Sequence, residues 1–71
     1  MSDRELLLRD ALIMYRVRGM IQAKKSTSNA SLYRQIFGTG TGTAIRRCMA
    51  LGFDPYDNNS DFRIAERFLE G

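Results

Sequence analysis

Gly38-Thr39-Gly40-Thr41-Gly42-Thr43-Ala44-Ile45-Arg46-Arg47-Cys48-Met49-Ala50-Leu51-Gly52 decides how this chain is read. A glycine, a Gly/Thr alternation, an apolar-basic-apolar run and a second glycine describe a helix stop, a short turn, a new helix and a second stop. The spacing predicts a helix from near Thr43 to Leu51, with Thr41 or Thr43 as its N-cap. Gly52 suits the first position past the helix and Phe53 the hydrophobic follower, and Pro55 forbids continuation. Ile45, Cys48 and Met49 are expected to face inward, and Arg46 and Arg47 outward.

Upstream, Ser28, Asn29 or Ser31 can cap a short helix ending at Phe37, in which Leu32 and Ile36, and Tyr33 and Phe37, are i,i+4 pairs. Before it, the polar run Lys24-Lys25-Ser26-Thr27-Ser28-Asn29 links back to a long helix over about residues 3–23. Ser2 can cap that helix, and Asp3 and Glu5 suit the positive end of its dipole. Its apolar arc, running from Leu6, Ile13 and Val17 round to Tyr15, Leu8 and Leu12, is too wide for a single core-facing stripe. Either the other helices wrap it or a second copy does, and the second copy is the reading preferred here. Downstream, Asp54-Pro55-Tyr56-Asp57-Asn58-Asn59 is turn chemistry, and a last helix starts near Ser60 with Phe62, Ala65, Phe68 and Leu69 on one stripe. The expectation is an all-α, small four-helix domain spanning 1–71. It contains a helix-turn-helix over about 29–52, a dimerising long first helix, and a C-terminal acidic turn and helix over 54–71.

Composition narrows the function classes. Seventy-one residues allow one domain. One Cys and no His exclude a disulfide scaffold and the usual zinc sites. No apolar run reaches the ~18 residues of a membrane span, and the mixed-charge start is no signal peptide. A reduced, cytoplasmic chain is implied. Between Asp10 and Asp54 there is no acidic residue, while Arg16, Arg18, Lys24, Lys25, Arg34, Arg46 and Arg47 all lie there. Residues 54–71 reverse the balance, with Asp54, Asp57, Asp61, Glu66 and Glu70 against Arg63 and Arg67. A long field of one sign attracts polyanions, and double-stranded DNA explains it better than a solvated face or an anionic membrane.

With that charge in view, the run from Gly38 to Gly52 resembles the C-terminal helix-turn-helix of Fis-type DNA-binding proteins, over about residues 28–53. Gly38 ends the first helix, Gly42-Thr43 opens the second, Arg46 and Arg47 form the basic cluster, and Gly52 follows nine residues after Thr43. The resemblance implies DNA contacts from Thr43, Arg46 and Arg47 and dimerisation through the first helix. Small phage-encoded regulators show similarly compact patterns.

The expected base-reading residues are therefore Thr41, Thr43, Arg46 and Arg47, and the expected phosphate contacts are Arg18, Lys24, Lys25, Arg34 and Thr39. The function expected is sequence-specific DNA binding in transcriptional or recombinational regulation, as a homodimer, with no membrane and no small-molecule substrate. The alternative is a small protein-interaction module, an inhibitor or adaptor, that uses the basic face on an acidic protein. No enzyme is indicated: there are no catalytic candidates, cofactors or metal ligands. The Gly/Thr run lacks the preceding strand and the Gly-Lys-Ser/Thr of nucleotide loops. Asp57-x-Asn59-x-Asp61 has Phe62 and Phe68 where a calcium loop needs Gly and Glu. Cys48 reads as a small buried hydrophobe. Tyr15, Tyr33 and Tyr56 read as core or interface aromatics.

Overall fold

In a computed structural model describing residues 3–20 and 27–70, the elements are α1 (Asp3–Met20), α2 (Asn29–Phe37), α3 (Thr41–Ala50) and α4 (Phe62–Glu70). The fold is all-α, with no strand among the described residues. Ser2, Lys24 and Lys25, expected as a cap and as phosphate contacts, lie outside the described residues.

Ser28 caps α2, its hydroxyl accepting from the Ser31 N–H at 3.2 Å. Gly38 ends α2 at φ 68°, and its N–H closes on the Arg34 carbonyl at 2.9 Å. The left-handed conformation there is open to glycine at little cost. Only Gly38, Thr39 and Gly40 separate the two helices, within the usual span of a helix-turn-helix connection.

Two expectations for α3 change. The helix starts at Thr41, so Gly40 is its N-cap and no side chain caps it; neither Thr41 nor Thr43 holds that position. Its rotation also differs. Ala44 and Cys48 are fully buried and Ile45 is half-buried, while Met49 is 59% exposed rather than inward. Ala30 of α2 and Ala44 of α3 are buried where the two helices pack, and small residues at such positions favour close packing of helices. The C-terminal end of α3 follows the sequence. The Gly52 N–H bonds the Met49 carbonyl at 3.1 Å and the Phe53 N–H the Cys48 carbonyl at 2.9 Å, with Gly52 at φ 80°. Buried Phe53 and buried Cys48 are the hydrophobic partners that accompany this Schellman closure.

At 18 residues α1 is about 27 Å long, nearly the 30 Å long axis of the molecule. Both α4 and α2 pack along it. Ala11 and Met14 are fully buried, and Leu7 and Val17 pack against the core. Leu8, Leu12 and Ile13 are half-buried. Much of the wide apolar arc is thus wrapped by the chain's own helices, which leaves Leu6, Tyr15 and Met20 exposed along α1. In the 54–71 segment, α4 lies against α1 and Ser60 accepts from Arg18. Asp61 caps α4, accepting from the Arg63 N–H at 2.9 Å.

Candidate nucleic-acid interface

At about 100° per residue, α3 presents Gly42, Arg46, Met49 and Ala50 on the face opposite Ala44 and Cys48, and all four are exposed. Arg46 sits at the middle of that face and forms no hydrogen bond or ion pair with any described residue. The N–H groups of the uncapped first turn of α3 are left to solvent or to a partner. A Cβ built at Gly40 or Gly42 would meet nothing within 4 Å. Gly40 sits at φ −74°, which any residue adopts. The domain's own packing therefore requires no glycine at either position, and the small residues leave the helix entrance open to close approach.

The remaining expected site residues divide into three groups. Arg47 is exposed, but its side of α3 turns toward α1, where Asp3, Leu6, Leu7, Asp10 and Ala50 line a groove with it. No carboxylate there comes within ion-pair distance of it. Its charge opposes the rise in the Tyr33 pKa, which burial causes chiefly and which the Asp10 carboxylate, accepting from Tyr33 Oη at 3.3 Å, reinforces. Arg34 and Thr41 come together: Arg34 Nη1 donates to Thr41 Oγ1 at 3.4 Å on the exposed side of the turn. Thr43 is half-buried.

Arg18 and Thr39 are not presented to a ligand. Arg18 donates from Nε to Ser60 Oγ at 2.9 Å, and from Nη2 to the Thr27 carbonyl and Asn29 Oδ1, both at 3.1 Å. Burial lowers its pKa and the Asp57 charge works against that. The Thr39 hydroxyl oxygen is shielded from solvent and has no partner among the described residues. Both residues were expected on phosphates; the first is used inside the fold, and the second has its oxygen turned inward.

Sequence reasoning missed the centre of that internal network. Asn29 is fully buried and Ser60 is 1% exposed. Asn29 Nδ2 donates to the carbonyls of Asp54 (2.9 Å) and Asn59 (3.0 Å), and its Oδ1 accepts from Ser60 Oγ as well as from Arg18. The only signal was a set of polar residues flanking turns, which reads equally well as capping. Cys48 is buried, and burial pushes its thiol pKa up to about 11.

No family model, curated protein or solved structure matches this chain. Among the described residues no helix is long and apolar enough to cross a membrane.

Proposed function

We infer that this chain binds double-stranded DNA through α3, in the manner of a helix-turn-helix, and serves transcriptional or recombinational regulation. The observation that carries this reading is the outward face of α3: an arginine at its centre with no partner among the described residues, an amino end with no side-chain cap, and two glycines that the fold itself does not need. Arg46 has the forked donor geometry for guanine, and exposed Met49 offers an apolar group to a thymine methyl. Arg47, about 100° round α3 from Arg46, and Arg34 and Thr41, beside the turn before α3, suit the phosphates on either side of a groove. The short glycine-bounded turn supports the likeness to Fis-type proteins.

A second copy would present a second α3 one helical turn along the duplex. Leu6, Tyr15 and Met20 are the apolar side chains of α1 left exposed for such pairing. The test is selection from random duplexes followed by anisotropy titration of the wild type and of Arg46→Ala combined with Arg47→Ala. The expected outcome is a recovered motif, a steep loss of affinity with added salt, and loss of site preference in the double variant. Full affinity and selectivity in that variant would refute the assignment of α3.

A further inference from the structure

Beside α3 lies a groove of about 220 Å³ between the start of α2, the start of α3 and the turn after α3. Ala30, Ser31, Arg34, Thr41, Ile45 and Tyr56 line it, with no carboxylate among its lining residues. Two of its hydroxyls are already oriented. Ser31 Oγ accepts from Gln35 Nε2 at 3.3 Å and Thr41 Oγ1 accepts from Arg34 Nη1, which leaves both O–H hydrogens free to donate elsewhere. Tyr56 stands at the rim, 77% exposed. It belongs to the acidic turn, yet Asp54 is occupied locally, its carboxylate accepting from the Tyr56 N–H at 2.9 Å. Ile45 supplies the apolar wall.

We propose that this groove seats one backbone phosphodiester of the duplex, held by Arg34, Ser31 and Thr41, with the Tyr56 ring against the adjoining deoxyribose. The proposal rests on the DNA-binding reading and adds to it Ser31 and Tyr56. Its geometry follows from α3: of its lining residues, Ile45 lies about 100° and Thr41 about 140° round the helix from Arg46. When Arg46 points at base edges, the groove therefore faces one wall of the major groove. A guanidinium, hydroxyls with free O–H hydrogens and an apolar surface meet there, which suits a phosphate and its sugar.

The test titrates labelled duplexes of several sequences with the wild type, Arg34→Gln and Tyr56→Ala, over a range of salt. Both side chains are exposed, and thermal melts confirm that each variant folds. Amide shifts of Ser31 and Tyr56 are followed by NMR on adding duplex and, separately, inorganic phosphate. Each variant should weaken all duplexes alike, by about fivefold for Tyr56→Ala, while the preferred sequence stays the same. Arg34→Gln should also lower the salt slope by about one, and Tyr56→Ala should leave it unchanged. If the wild type binds duplex and loses its preference on removal of Arg46, but both groove variants bind as the wild type does, the groove is overturned and the α3 reading stands. If no duplex binds the wild type at low salt, both fall. Inorganic phosphate reproducing the Ser31 and Tyr56 shifts at the same concentration as duplex phosphate would make this a free-anion site and overturn the proposal.

Discussion

Two arginines show how differently this small domain treats its polar groups. Arg18, at the junction of α1 with the start of α2 and the turn before α4, gives its guanidinium to three acceptors within the chain. Arg46, at the middle of the outward face of α3, has none among the described residues. Both lie in the same acid-free stretch of sequence, and both were expected on DNA. At the junction, partly buried donors and acceptors must meet one another because water cannot reach all of them. On α3, water satisfies the guanidinium at no structural cost, and a partner can replace that water. A polar side chain used inside the fold is evidence about stability, and one left outside is the better indicator of binding.

The sharpest way to break this contrast is at the junction. Asn29→Ala leaves two part-buried carbonyls, Ser60 and Arg18 short of a partner, and the loss is expected to be about 4 kcal/mol, or roughly 20 °C in Tm. A circular-dichroism melt within a few degrees of the wild type would show that the network contributes nothing. Gly52→Ala comes next, at about 3 kcal/mol. The position has φ 80°, and an added Cβ would lie 2.5 Å from Phe68 Cγ and 2.6 Å from Phe68 Cβ. Because the second of these atoms is fixed to α4, a rotamer change cannot relieve the clash, and chemical denaturation should show the loss.

Alkaline pH probes the interior from another side. Folding holds the Cys48 thiol protonated up to about 11 and raises Tyr33 as well. The folded state thus binds more protons than the unfolded chain above the ordinary thiol pKa. Stability is fully present below that value and falls as pH rises through 11, by about 3 kcal/mol from the thiol. Urea midpoints measured against pH should fall less steeply in Cys48→Ala. On the outward face the signs separate: Arg46→Ala should cost about 2 kcal/mol in binding to the selected duplex and change stability by no more than about 0.5 kcal/mol. A stability loss larger than the binding loss would move Arg46 to the structural side. The smallest effect is expected from Gly42→Ala. Since its Cβ would meet nothing, the variant should gain about 0.5 kcal/mol in a thermal melt while duplex affinity falls in the anisotropy titration. Stability and binding both unchanged would show that no partner approaches the start of α3.

The two helix stops were legible because each depends on neighbours in sequence. Gly38 and Gly52 take positive φ, and Phe53 bonds and packs back onto the turn it follows. The Tyr33–Phe37 pair was likewise local, and its rings meet at 4.3 Å. Less was legible where several local answers were equally good. The Gly/Thr alternation offers several starts for α3, and packing against α2 selected Thr41. Hydrophobicity alone placed Met49 inside, whereas Ala44 is buried where α3 packs against α2 and Met49 is exposed. In the candidate site, Arg46 was foreseen as outward. The diversion of Arg18 and the inward turn of the Thr39 oxygen were not, since a guanidinium or hydroxyl in a sequence carries no sign of what surrounds it.

Sequence by itself determined that the chain is helical, where two of its helices stop, and that positive charge is concentrated in its middle. These follow from backbone preference and composition, which act over a few residues or over none. Tertiary structure alone decided which charges and hydroxyls are used inside the fold. That choice depends on the distance between groups far apart in the chain, such as Arg18 and Ser60, and only the packed fold sets such distances.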